Sequence, residues 1–276
     1  MKDKPAHRSV ILAAGAARRL APCIGDLNKC LADVGGRPII DYQLAPLADA
    51  GVADVTVVVG YRADLLRRDL VARYPALRFR FVDNPDYAST NTIWSLCLAR
   101  ESLAGGAFLC NGDIVIDPQV IERLAAADPA TSWLAVTRAD CADEEVKALV
   151  DDAGRIIRIG KQLDPARCAG EFIGAARFSP ACGTRYAKEL ELVAPSHRHE
   201  YFEFALDRIL ADQDVRLLDV TDLPCIEIDF PEDLDRARRD IAPAIARRGR
   251  DGRMTGGDER IKCRRQGTEK RRARPQ

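Results

Sequence analysis

The chain has no Cys-x-x-Cys pair, no Gly-x-Gly-x-x-Gly turn and no apolar run approaching the length of a membrane span. The first absence matters because there are nine cysteines. They are scattered, and Cys97, Cys110 and Cys225 lie inside apolar runs. Used that way, cysteine is a small hydrophobe of a reducing compartment, so a cytoplasmic location is expected. The second absence argues against a dinucleotide-binding dehydrogenase. The third leaves no membrane segment, and no signal peptide precedes the first expected strand. Net charge is also lacking, since 42 Lys/Arg face 42 Asp/Glu. That balance is uneven along the chain. Residues 247–276 hold twelve Lys/Arg and four Asp/Glu, a net of +8 that leaves −8 on the rest. Burial in such a stretch cannot offset its ordering entropy, so disorder is expected there. A basic tail can bind nucleic acid, but a solvated appendage with no specific nucleic-acid partner is the favoured reading. One domain over 1–246 and a basic tail over 247–276 are therefore expected. With 47% hydrophobic residues, the body can bury a sizeable core.

What is present is organised around Ser9 to Leu31. An apolar run, Val10 to Ala14, ends at Gly15; Arg18 and Arg19 follow, and Lys29 comes a short loop later. This reads as a buried strand delivering a turn of small residues. Such a turn lets backbone N–H groups approach an anion closely, and neighbouring Arg and Lys supply the charge a polyphosphate needs.

Helical spacing over Pro38–Ala50, the β-branched run Val55–Val59, a helix over Ala63–Tyr74 and an alternating strand over Leu77–Val82 give β-α-β-α-β with short links. That order predicts a parallel sheet with helices on both sides, and ligands at the carboxyl ends of its strands. Thr90 or Asn91 is a candidate cap for a helix running to about Leu103. Ala107–Cys110 is a further buried strand, and Asp113 follows it. An acid there is costly without a partner, and a metal ion or a helix N-terminus could supply one. From Trp133 the pattern turns β-rich: Leu134–Thr137, then a hairpin of Glu145–Val150 and Arg155–Ile159 about Asp152-Ala153-Gly154, then Ile173–Phe178. This region, about 133–205, reads as a mixed-sheet insertion with Lys147 and Lys161 on its strands. Ser196–Asp212 is expected to contain a helix opened by His199 to Glu203. Val215–Val220 and Cys225–Ile228 are further short strands, with Asp229 as a second acid at a strand end and Pro231 starting the last helix.

The string Leu-Ala-Ala-Gly-x-x-x-Arg-Leu with a later Lys-x-Leu resembles the signature of the nucleotidyltransferase (pyrophosphorylase-like) family. The chain departs from that pattern at Ala17, Arg18 and Asn28, where the family usually has Gly, Ser or Thr, and Pro. Asn84 with Thr90-Asn91 and Ser95-Leu96, Asn111-Gly112-Asp113, and Glu227 through Asp233 resemble the cytidylyltransferase branch, whose members act on phosphocholine, inositol phosphate or phosphonates. The segments around Lys147, Lys161 and Gly170–Gly174 are most similar to the phosphonate and inositol-phosphate enzymes. The resemblance spans roughly residues 9–242 and implies a Rossmann-like three-layer α/β sandwich with a mostly parallel mixed sheet and a small β-rich acceptor-binding insertion.

It also implies roles. Leu12, Ala13, Ala14 and Gly15 would face the base and phosphates, with Asn84 and Thr90 near the base. Arg19 and Lys29 would hold the triphosphate. Asp113 and Asp229 would hold Mg2+. Lys147 and Lys161 would meet the acceptor's phosphonate or phosphate, and Glu171, Glu200, Tyr201 and Glu203 the rest of it. CTP and a small phosphonate or phosphomonoester are the implied substrates. A phosphate monoester is largely ionised near neutral pH, its second pKa being about 6. Its oxygen can attack the α-phosphorus without a general base, in keeping with only three histidines, His7, His197 and His199. Two other readings remain open: a sugar-1-phosphate nucleotidyltransferase, and a non-catalytic nucleotide-binding regulator.

Overall fold

In a computed structural model, residues 7–138 and 144–250 are described. β1 (His7–Ala13) leads through the short helix α1 (Ala21–Ile24) into a two-stranded clasp, β2 (Asp33–Val34) and β3 (Arg37–Pro38). Helix α2 (Asp41–Asp49), β4 (Val52–Val59), α3 (Ala63–Arg73) and β5 (Arg78–Asp83) follow. Next come α4 (Thr92–Leu98), β6 (Ala107–Asn111), β7 (Ile114–Ile116), α5 (Pro118–Ala126) and β8 (Ser132–Thr137). The remainder is β9 (Lys147–Val150), β10 (Ile156–Gly160), β11 (Gly170–Phe178), α6 (Pro180–Val193), α7 (Glu203–Asp207), β12 (Val215–Asp219), β13 (Cys225–Glu227) and α8 (Pro231–Arg236).

The sheet runs β10-β9-β11-β6-β1-β4-β5, with β8 also on β11 and β12 on β8. β1 pairs parallel with β4 and β6, and β4 with β5, as the alternating pattern predicts. β11 is antiparallel to β6, so the sheet is mixed. The apolar β4 is buried along most of its length because helices cover both faces. One face carries Val10, Leu12 and Leu109 against residues of α4 and α6, such as Leu96 and Tyr186. The opposite face carries Ile11, Val57 and Cys110 against Leu44, Leu66 and Ile121 of α2, α3 and α5. A third cluster sets Ile39 and Tyr42 against Leu234 and Ile241 of the last helix. The result is the three-layer Rossmann-like arrangement that the sequence implies. No helix among the described residues is long and apolar enough to cross a membrane.

The β-rich region joins the central mixed sheet through β8 to β12, with the hairpin β9–β10 at its edge. Two features differ from expectation. Helices α5 and α6 lie in stretches to which the sequence reading assigns no element. Both begin with a capping side chain followed by proline, Asp117-Pro118 and Ser179-Pro180, which are start signals in their own right. The helix expected within 196–212 shrinks to α7. The backbone before it is used elsewhere: Arg198 and Glu200 offer carbonyls to the amides of Asn91 and Ile93, and the Phe202 amide donates to Thr92 Oγ1. Those bonds hold the segment against the start of α4, where Asn91 rather than Thr90 is the cap.

The final helix continues past the expected boundary at 246. Residues 237–241 form a π-helical turn and residues 242–250 are helical. Arg248 Nε lies 3.2 Å from the carboxylate of Asp117, which is buried beneath it and caps α5. Residues 251–276 of the expected tail lie outside the described residues. A chain ending at Ala246 strips that partner from a buried acid. It should therefore melt below one ending at Arg250 by about 2–4 °C, the shift expected for about 1 kcal/mol in a domain this size. Equal melting temperatures in calorimetry would remove Arg248 from the fold's supports.

Candidate active site

A cleft of about 1350 Å3 opens at the carboxyl ends of β1 and β6. Its first end is the turn after β1. Leu12, Ala13, Gly15, Ala17, Arg18 and Arg19 line it. A Cβ on Gly15 would meet no protein atom within 4 Å, so this flank of the turn is open to the cleft. Ala14 is buried and off the wall, its carbonyl accepting from the Tyr61 amide. Arg19 stacks on the Phe230 ring at 4.4 Å, which ties the turn to the start of α8.

Two departures from the family pattern acquire a physical meaning here. Ala17 has φ 43° and ψ 47°, the left-handed region that glycine enters without strain. Asn28 is fully buried. Its amide donates to the carbonyls of Ala13 (3.2 Å) and Tyr61 (2.8 Å), and its oxygen accepts from the Cys30 amide. One side chain thus fastens the end of β1, the turn after β4 and the short helical turn that carries Lys29.

The centre of the cleft is an acidic cluster with a cation in it. Lys29 Nζ lies 2.9 Å from Asp113 Oδ2 and 3.0 Å from Asp229 Oδ1, and donates to the Ile228 carbonyl at 2.5 Å. Asp113 follows β6 because Gly112 lets the chain pass against β1: a Cβ there would sit 2.5 Å from the Leu12 carbonyl oxygen. Asp229 reaches the same place through the antiparallel pairing of β13 with β7, which the Ile228 amide extends by donating to the Asp113 carbonyl. Glu227, two residues before Asp229, completes the set. One carboxylate oxygen from each of Asp113, Glu227 and Asp229 lies within 4.8 Å of the others.

Charge here is set by mutual contact. Burial opposes the Lys29 ammonium, but Asp113 and Asp229 outweigh it and raise its pKa, so it stays charged. Burial also opposes the Asp229 carboxylate, and Lys29 reverses that and lowers its pKa. Glu227 reaches solvent on the cleft floor, yet the surrounding walls and then Asp113 and Asp229 hold its pKa well above the usual range. The acid at the end of β6 is therefore partnered by Lys29, which the sequence reading gave to the triphosphate. The cluster also fits a hard divalent cation: its donors are all carboxylate oxygens, and Asp113 Oδ1 is buried without a hydrogen-bond partner.

The far end is lined by Glu145, Lys161, Glu171, Tyr201, Phe202 and Glu203. Lys161 Nζ sits 4.3 Å above the Tyr201 ring. Glu203 is 4% exposed, and its Oε2 has no hydrogen-bond partner. Burial pushes its carboxyl up to about 7 despite Lys161. Glu171 is likewise pushed up to about 7, by burial and then by Glu145.

The cleft wall thus gathers Leu12, Ala13, Gly15, Arg19, Lys29, Thr90, Asp113, Lys161, Glu171, Tyr201, Glu203 and Asp229 of the expected site. It does not gather Ala14, Asn84, Lys147 or Glu200. Asn84 is buried and bonds Thr90, Ser95 and the Asp86 amide, so it shapes the loop that carries Thr90. Lys147 is buried in β9, its ammonium donating to the Glu145 carbonyl at 3.1 Å. Glu227 was missed, although its two-residue spacing from Asp229 puts both acids on one side of an extended segment.

Two expectations follow. Ala17→Gly should relieve the left-handed strain and stabilise the chain by about 0.5–1 kcal/mol in urea unfolding; a loss of stability would show that the alanine methyl packs usefully. Glu203 in the folded chain keeps a proton that the unfolded chain releases near its ordinary value of 4.5. The proton excess of the folded state means that stability falls as pH rises from about 4.5 to 7 and stays lower above it. Glu203→Gln should therefore melt higher than wild type at pH 8 and match it near pH 4. An equal gap at both pH values would place the effect in packing instead.

The sequence profile of the MobA-like NTP transferase domain matches residues 9–172. CMP-5'-(3-aminopropyl)phosphonate synthase of Streptomyces rubellomurinus is 34% identical over 254 residues, covering 86% of this chain; the chain spans 39% of that protein's length. 2-Aminoethylphosphonate cytidylyltransferase of Lancefieldella rimae is 29% identical over 229 residues, covering 82% of this chain and 89% of that protein. Among solved structures, CTP:phosphocholine cytidylyltransferase from Streptococcus pneumoniae has the same fold, with a TM-score of 0.71 at 20% identity over 84% of this chain and 97% of that one. A profile that begins on β1, spans the turn, Lys29 and Asp113 and ends in β11 covers more than half of the sequence, and the chain belongs to the MobA-like NTP transferase family, as a nucleotidyltransferase.

Proposed function

We propose that this protein transfers CMP from CTP to a small aminoalkylphosphonate, releasing pyrophosphate. The observation that carries the acceptor's class is the composition of the far end of the cleft. Lys161 offers a positive charge for a phosphonate, and Glu203, whose Oε2 is buried without a partner, lines the same cavity with Glu171. A carboxyl left without a donor in a low-dielectric site is costly. An ammonium group on the acceptor would supply that donor and hold both glutamates in their ionised form. The names of the two relatives, both acting on aminoalkylphosphonates, support this reading. A sugar phosphate would offer hydroxyl donors but no positive charge to hold both glutamates ionised.

In this reading the turn after β1 receives the cytosine nucleotide. Arg18 and Arg19 meet the phosphates, and Lys161 orients the phosphonate so that its oxygen faces the α-phosphorus in line. That oxygen forms the new P–O bond as the bond to pyrophosphate breaks. The phosphonate is already ionised, so no proton need be removed. Positioning and the cancellation of crowded negative charge supply the rate. Asp113, Asp229 and Glu227 would hold Mg2+, which when bound offsets charge on the phosphates.

The test is pyrophosphate release with CTP and with the other nucleoside triphosphates, across 2-aminoethyl-, 3-aminopropyl- and propylphosphonate, phosphocholine and inositol phosphate. CTP with an aminoalkylphosphonate should give the highest kcat/KM. Propylphosphonate, which lacks only the amine, should fall about ten- to a hundredfold, the value of a lost charge-assisted contact. Glu203→Gln should raise the KM for the amine and leave the KM for CTP near wild type. Equal turnover of the amine and its propyl analogue would remove the ammonium subsite.

A further inference from the structure

Lys29 occupies the point where the oxygens of Asp113, Asp229 and the Ile228 carbonyl converge. Those carboxylates belong to the same cluster that fits a divalent cation. An ion bound through these oxygens would stand in contact range of the Lys29 ammonium, and two cations that close repel strongly. One ammonium also does not satisfy the cluster. Three carboxylates face it, and Asp113 keeps a buried oxygen with no partner.

We propose that Lys29 is a resident counter-ion of this cluster, which it yields to the divalent cation and leaves for the nucleotide's phosphates. The proposal rests on the cluster being the metal site, and not on the identity of the acceptor.

The local structure permits this exchange without remodelling. The backbone is pinned: Asn28 accepts from the Cys30 amide on one side, and the Lys29 carbonyl accepts from the Ala32 amide on the other. Only the side chain has to move. It is a four-carbon stem with rotatable donors, able to trade one anionic partner for another. Arg18, Arg19 and Lys29 line the same cavity, so the lysine can leave the acids without leaving the cleft that the turn after β1 opens into. The order of events then acquires a logic. Without metal, Lys29 keeps the two strand ends together; with metal, the same charge becomes available where triphosphate binds. Residence in the cluster also withholds Lys29 from a nucleotide that arrives without a divalent ion.

The experiment uses the full chain without nucleotide or acceptor, so its outcome does not depend on what the acceptor is. Mg2+ and Mn2+ are titrated calorimetrically into wild type and Lys29→Met, which keeps the stem and removes the charge. The variant should bind both ions at least about tenfold more tightly. Its melting temperature should lie below wild type in chelator, with the gap closing at saturating Mg2+. In wild type, saturating Mg2+ alone should make Lys29 more accessible to amine-labelling reagents in peptide-mapped mass spectrometry, a readout that stands even if Lys29→Met does not fold. Equal or weaker metal binding by the variant, unchanged Lys29 labelling in Mg2+, or no binding of either ion by either protein would each overturn the proposal.

Discussion

Like charges that arrive at one point from distant parts of a chain must be neutralised, and that constraint governs this fold. Asp113 leaves a central strand and Asp229 leaves the β7–β13 ladder, 116 residues later in sequence. The Lys29 ammonium between them joins the first loop of the chain to its last ladder. Around that contact the packing is close. Gly112 has no room for a side chain against β1, and Asn28 closes the loop from beneath with three hydrogen bonds. The cleft is thus an arrangement of charge made durable by backbone contacts.

Much of this was legible in the sequence. The β-branched run of β4 and the alternation of apolar runs with helical spacing gave the parallel half, because burial on both faces leaves a plain pattern. The strand-end acids, the lysine and the small-residue turn were visible for the same reason: polar residues at the ends of apolar runs stand out. The structure adds what periodicity does not carry. That Lys29 points into the acids rather than out at a phosphate depends on a ladder between β7 and β13, each only three residues long. Lys147 reads as a strand lysine that meets the acceptor, but β9 lies between β10 and β11, and the side chain is buried off the cleft wall. His199 to Glu203 read as the start of a helix, but the backbone of Arg198, Glu200 and Phe202 bonds the first turn of α4 instead.

The departures from the family pattern divide into two kinds. Asn28 replaces a rigid residue with a polar one and gains three specific bonds, so the local geometry is held by hydrogen bonding in place of a ring. Ala17 retains the left-handed backbone without the residue suited to it. A conformation kept at a cost implies that the surrounding turn over-determines it.

β11 has a further consequence. Its last residues pair with the start of β6, away from the cleft, while Gly170 and Glu171 pair with β9 and Glu171 to Ile173 line the cleft wall. A single strand therefore runs from the interior of the central sheet to the far end of the cleft. The edge hairpin β9–β10 is attached to the sheet through the pairing of β9 with the first residues of β11. An edge hairpin paired to the sheet through β9 can vary in sequence with little disturbance to the turn after β1 at the other end of the cleft.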